Sequence, residues 1–243
     1  NDFSGKGINV SVAVHQLGEG TKCLGFSYLN DSAFAEESLA KIGLDYEFIG
    51  IEGNLRTNIK VFDDESQIMT EFNEHGHHVN AEAIKELKRL VTEHMEHSEI
   101  MVFNGSVPRG VPNNIYRSLI EIVKQAGIKT VLDAEGDLFL EGIKAGPYLI
   151  KPNLFEFESA FGVKVNSNQE IVRMSRSIIE NGVGIVCVSL GKKGAVIVSK
   201  DEAWYAPGSD IKVRGVQGGG DSLVAGVCLA IKRGLGLDQT LRY

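Results

Sequence analysis

From about residue 97 onward, short continuous apolar runs alternate with amphipathic stretches at a regular pace, a pattern that few architectures can absorb. Ile100-Met101-Val102-Phe103, Thr130-Val131-Leu132, Tyr148-Leu149-Ile150 and Gly184 to Ser189 lack the polar-apolar alternation of a strand with one wet face, so they predict strands covered on both sides. Between them, Asn113 to Ala126 and Asn168 to Asn181 carry apolar residues at helical spacing. Ala195 to Ser199 reads as an antiparallel or edge neighbour of the last of these strands, and Asp221 to Lys232 as a further helix. The expectation is an α/β fold with a mostly parallel sheet covered by helices on both faces.

A chain of 243 residues with 43% hydrophobic residues can bury one large core, so one main body is expected. The net charge is −7 and no Lys/Arg cluster alternates with aromatics, which argues against a nucleic-acid partner. Cys23, Cys187 and Cys228 are odd in number and widely spaced in apolar segments. They predict buried thiols in a reducing cytoplasm, with neither a disulfide framework nor a Cys-x-x-Cys metal site. No window of about 18 apolar residues and no charged-then-apolar leader is found, so membrane insertion and secretion lack support. Residue 1 is Asn, and a glycine motif arrives by Gly5 before any strand that could deliver it, which implies that N-terminal sequence precedes this chain.

Ligands on parallel sheets gather at the carboxyl ends of the strands, so residues directly after strands are the ones to inspect. Four segments qualify: Asn104-Gly105-Ser106, Asp133-Ala134-Glu135-Gly136, Lys151-Pro152-Asn153-Leu154-Phe155-Glu156, and Ser189-Leu190-Gly191. A different pattern runs through Arg56 to Phe62 and Ile68 to Asn73, where polar and apolar residues alternate around the acidic turn Asp63-Asp64-Glu65-Ser66. It predicts a hairpin with one wet face, suited to a lid over a site.

The segment Gln217-Gly218-Gly219-Gly220-Asp221-Ser222 opens the last helix. Three glycines let backbone N–H groups converge, and the helix adds its positive end, so an anion can be held there. Asp221 on the rim of such a hole repels a phosphate, a cost that makes sense if it takes a proton from an attacking hydroxyl. A glycine turn with Asp221 or Ser222 as an ordinary helix cap fits the same six residues.

Asn153 and Glu156 share a face if the chain turns helical after Pro152, and could hold magnesium through its waters; an Asn cap with a solvated Glu explains them as well. Ser4-Gly5-Lys6-Gly7-Ile8-Asn9 permits close backbone approach and supplies donors, or is a plain turn, with Asn9 opening the helical pattern Val10 to Leu17. Arg56 and Arg109 are candidate phosphate ligands or solvated surface charges. His75-Gly76-His77-His78 lacks further ligands nearby and reads as a solvated loop; Lys192 and Lys193 receive no role.

Taken together and in order, Ser4-Gly5-Lys6-Gly7-Ile8-Asn9-Val10, Arg56-Thr57-Asn58-Ile59-Lys60, Asn104-Gly105-Ser106-Val107-Pro108, Lys151-Pro152-Asn153 with Glu156, Val188-Ser189-Leu190-Gly191 and Gly218 to Ser222 resemble the ribokinase-like sugar kinases of the phosphofructokinase-B type. The resemblance implies a three-layer α/β/α core over residues 1–54 and 79–243 and a small β lid over 55–78. It implies ATP and Mg²⁺, with Asp221 as base and Gly218, Gly219 and Gly220 as anion hole. Gly5, Lys6, Asn9, Arg56 and Ser106 would face the sugar phosphate, Ser189 and Gly191 the nucleotide, and Asn153 and Glu156 the magnesium.

Gly5 to Asn9 with Arg56 to Lys60 is most similar to the branch that phosphorylates fructose 1-phosphate at its 6-hydroxyl; tagatose-6-phosphate and fructose-6-phosphate kinases, or a non-catalytic sugar-phosphate sensor, are the alternatives. A homodimer through the lid is a further implication. The chain departs from the family at Ser4, at Tyr28-Leu29 and at Gly219, where glycine, a glycine pair and alanine are usual. The family's first strand, with a sugar-binding Asp, and its last helices are not among these residues; a protein truly lacking them is expected to have no kinase activity.

Overall fold

In a computed structural model, the described residues are 3–63, 68–74, 76–208 and 218–242. The central feature is a six-stranded sheet of β5 (Ile100–Asn104), β6 (Lys129–Asp133), β7 (Leu149–Ile150), β8 (Ile185–Ser189), β9 (Ala195–Val198) and β10 (Ala203–Ala206), in the spatial order β10-β9-β8-β7-β6-β5. The first four run parallel, β9 is antiparallel to β8, and β10 closes the edge antiparallel to β9. The run at 195–199 is thus antiparallel but internal. The fold is the expected three-layer α/β architecture with a mostly parallel sheet.

The parallel strands are apolar throughout because both faces are covered. Val131, Leu132, Leu149, Ile150, Val186, Cys187 and Val188 are fully buried. One face packs against α4 (Ile115–Gln125), α5 (Gly136–Ile143), α6 (Leu154–Phe161) and α7 (Asn168–Glu180), with Ile115, Leu119, Ile120, Val123 and Phe157 in a shared cluster. The other packs against α1 (Lys6–Gln16) and α8 (Gly219–Lys232), where Val10, Val224, Val227 and Cys228 meet Val131, Leu149 and Cys187. Each such buried aliphatic contributes about 1.5–3 kcal/mol. All three cysteines are free and buried, as their spacing predicted.

Two smaller sheets stand apart. β1 (Lys22–Tyr28) and β2 (Asp45–Ile51) form a parallel pair joined by α2 (Ser32–Ile42), which stops at the left-handed Gly43 (φ 77°). β3 (Asn58–Asp63) and β4 (Ile68–Asn73) form the expected antiparallel hairpin, with Ile59 opposite Phe72 and Val61 opposite Thr70. Most of its acidic turn, residues 64–66, lies outside the described residues, as do His75 and Gln217. α3 (Ala81–Glu93), capped by the Asn80 side chain accepting from the Ala83 N–H, returns the chain to the core; α9 (Leu237–Thr240) ends it. Among the described residues no ladder joins β1 to β5, and a cavity lies between them. No described helix is long and apolar enough to cross a membrane.

Candidate active site

The register of the parallel strands decides which side chains meet. Asn104 at the end of β5 sits opposite Asp133 at the end of β6, and Leu132 sits opposite Ile150, so Lys151 follows directly beside Asp133. Asn153, past the end of β7, bridges to Ser189, the last residue of β8. The carboxyl ends of four strands therefore present Asn104, Asp133, Lys151, Asn153 and Ser189 along one edge, which opens into a cavity of about 2100 Å³.

Besides α6, which Asn153 caps, two helices without a side-chain cap open onto this edge. α8 begins at Gly218, in the left-handed region at φ 76°, with Gly219 and Gly220 as its first helical residues and no side chain capping it. Asp221 is therefore not the cap: it is the third helical residue, 7% exposed, and its Oδ2 accepts a 2.8 Å hydrogen bond from Asn9 Nδ2. α1 starts at Lys6, three residues before the expected opening at Asn9, and Gly5 precedes it without a side-chain cap. Gly7 in this turn allows close contact with the end of β5. A Cβ on Gly7 would lie 3.2 Å from Asn104 Oδ1, and one on Gly105 3.4 Å from Lys6 Cβ. Tyr116 holds that loop from below, donating to the carbonyls of Asn104 (2.8 Å) and Gly105 (3.2 Å). Burial first, and then the charge on Asp133, pushes its phenol upward, so it stays protonated as a donor.

Asn153 and Glu156 form a reciprocal capping box at the start of α6: Asn153 Oδ1 accepts from the Glu156 N–H and Glu156 Oε2 from the Asn153 N–H, both at 2.8 Å. This occupies the Asn153 oxygen and leaves Glu156 Oε1 facing the Lys6 ammonium at 4.0 Å. Lys6 Nζ and Lys151 Nζ each lie 3.4 Å from Asp133 Oδ1. Asp133 is 1% exposed, and its Oδ2 has no hydrogen-bond partner. An orphaned buried carboxylate oxygen is costly, so it marks a place for a further cation. Among the described residues no group of three or more His, Cys, Asp or Glu side chains could hold a metal ion, and His77 and His78 belong to no such cluster. The donor set fits magnesium, which keeps its waters and takes one or two carboxylates plus substrate phosphates.

Gly5, Lys6, Asn9, Arg56, Ser106, Asn153, Glu156, Ser189, Gly191, Gly218, Gly220 and Asp221 all line this one cavity. Gly219 adjoins it inside the α8 turn, and Arg109 is not among the lining residues. Arg56 enters from the foot of the hairpin, beside Tyr28, whose ring packs on His77. The carboxyl-edge segments containing Asp133 and Lys151 were visible in the sequence, but nothing local showed that both side chains are buried against each other.

Known proteins match along nearly the whole chain. A 1-phosphofructokinase of Haemophilus influenzae is 30% identical over 241 residues, covering 99% of this chain and 77% of its own length. A 1-phosphofructokinase of Bacillus subtilis is 29% identical over 238 residues, covering 98% of this chain and 77% of that protein. Phosphofructokinase-2 of Escherichia coli in complex with fructose-6-phosphate has a TM-score of 0.89 at 24% identity, over 99% of this chain and 79% of that one. Its tetrameric inhibited form scores 0.90 at the same identity, over 98% and 79%. Residues 1–243 match the pfkB family of carbohydrate kinases, and with the glycine-opened α8, its Asp221 and the carboxyl-edge cavity already in place, this chain belongs to that family and is a sugar kinase.

Proposed function

We propose that this protein transfers the γ-phosphoryl group of ATP to the 6-hydroxyl of fructose 1-phosphate, giving fructose 1,6-bisphosphate and ADP. The observation that carries the reading is Asp221, a buried carboxylate beside the bare N–H groups of α8 and held by Asn9 from α1. A sugar hydroxyl placed against its other oxygen loses its proton to Asp221 as it attacks in line. Charge that develops on the transferring group meets the N–H groups of Gly218, Gly219 and Gly220. Lys151, whose Nζ would lie 3.4 Å from a Cβ on Gly220, adds positive charge beneath the same turn.

Glu156 with Asn153, the expected pair, and Asp133 beside them are the residues that would hold magnesium; when bound, the ion supplies neutralisation of the ATP phosphates. Ser189 and Gly191 lie on the side assigned to the nucleotide. Ser106, Arg56 and the N-terminus of α1, opened by Gly5, surround the space assigned to the sugar phosphate.

Residues 55–78 act in this reading as a lid. Ile59, Val61 and Phe72 are 54%, 50% and 59% exposed on one face of the hairpin, an apolar surface that a second copy of the chain would cover. The free, buried cysteines fit a cytoplasmic setting. A fructose-6-phosphate kinase is the second reading, favoured by the likeness in fold to the Escherichia coli enzyme solved with that sugar. A coupled ADP-release assay against fructose 1-phosphate, fructose 6-phosphate and tagatose 6-phosphate decides among substrates. In Asp221→Ala, loss of the base is expected to lower kcat by roughly 10²-fold or more, and turnover that survives it removes Asp221 from the mechanism.

A further inference from the structure

The sugar-phosphate role assigned to Lys6 conflicts with where its side chain rests. Lys6 is the first residue of α1, and its ammonium turns away from that helix end toward two carboxylates, 3.4 Å from Asp133 Oδ1 and 4.0 Å from Glu156 Oε1. Asp133 already has a second ammonium, from Lys151, yet keeps one buried oxygen without a partner. Lys151 is 4% exposed and cannot leave, whereas the Lys6 side chain is 34% exposed and lies on the open side of the cavity.

We propose that Lys6 is a tethered counter-cation: it occupies the Asp133–Glu156 pair while the site is empty, and a divalent cation displaces it, sending its ammonium to a phosphate group at the N-terminus of α1. A hydrated divalent ion placed between Asp133 and Glu156 needs the space that the Lys6 ammonium fills, and its charge adds repulsion to a carboxylate that Lys151 already neutralises in part. The released ammonium joins the bare N–H groups behind Gly5, a place that already favours an anion. Metal and sugar-phosphate binding are then coupled through one side chain, each raising the affinity of the other. The inference rests on the kinase reading only for the identity of the ion and the phosphate.

The test uses Mn²⁺ as probe, titrated into the full chain without nucleotide or sugar and followed by electron paramagnetic resonance of the free ion. Removing the tethered charge in Lys6→Met is expected to tighten Mn²⁺ binding about tenfold, while Lys6→Arg stays within about threefold of wild type. Equal or weaker binding by Lys6→Met overturns the proposal. A second measurement needs no variant: acetylation of Lys6 by acetic anhydride, read by mass spectrometry against the buried Lys151, is expected to accelerate several-fold when Mn²⁺ is added. An unchanged rate overturns the proposal too. Neither measurement involves turnover, so failure of the kinase assay on all three sugars would leave this result standing, and the reverse holds as well.

Discussion

The three helices that open onto the cavity begin in two different ways. α1 and α8 start behind glycines, Gly5 and Gly218, with no side chain on their first N–H groups, whereas α6 closes its own start with the Asn153–Glu156 box. A bare helix end keeps its donors and its positive field for a ligand; a capped one spends both on itself. The two bare ends face where phosphates are expected. The capped end instead displays a carboxylate oxygen of Glu156 toward cations. In the proposed reading, the expected anion and cation sites are thus separated by whether a glycine or an asparagine precedes the first turn.

Joining the two bare ends is the Asn9 to Asp221 hydrogen bond, and breaking it has the largest effect expected of the changes that test this comparison. In Asn9→Leu the buried carboxylate loses a donor worth about 1.5–3 kcal/mol, so kcat is expected to fall by tenfold or more with the KM for ATP little changed. Steady-state kinetics that show an unaltered kcat would detach α1 from the chemistry. Next comes Gly218→Ala: at φ 76° an L side chain costs about 1–2 kcal/mol, readable as a lowered midpoint in urea, and no loss there would mean that the α8 cap can relax.

For the capped helix, Asn153→Ala is expected to cost about 1 kcal/mol of stability, a fall in Tm of about 2–4 °C, because the Glu156 N–H loses its acceptor. If Tm holds, α6 is not secured by its box. The smallest effect is expected at Gly219→Ala. This position has nothing within 4 Å of an added Cβ and restores the alanine usual in the family, so stability should rise by up to about 1 kcal/mol with kcat within twofold. A large loss of activity there would show that the turn needs more freedom than its geometry displays.

Legibility in the sequence followed burial. Continuous apolar strands such as Val131-Leu132 and Val186-Cys187-Val188 are buried on both faces, and a segment in that position has little choice of residue. The hairpin was legible for a different reason, since its residues alternate, although in the single chain its apolar face, Ile59, Val61 and Phe72, is exposed as well. β1 and β2 carry Gly25, Ser27, Glu47 and Gly50 within their runs, sit in a two-stranded pair with half-buried residues, and did not stand out. The start of α1 was obscured by glycines that disfavour a helix in isolation. Of these only Gly7 is tightly approached, by Asn104 Oδ1, and there tertiary packing overrides helix propensity.

The residues by themselves determined the class of fold, the carboxyl-edge position of the candidate site, the free buried cysteines and the set of motifs that marks the family, because each depends on periodicity or on short local spacing. Tertiary structure alone decided the pairings: Asn9 with Asp221 across 212 positions, Lys6 with Asp133 across 127, and Lys151 beside Asp133 through strand register. Such contacts are made when the sheet closes and brings loop ends together, and no local pattern records which partner a charged side chain will find there.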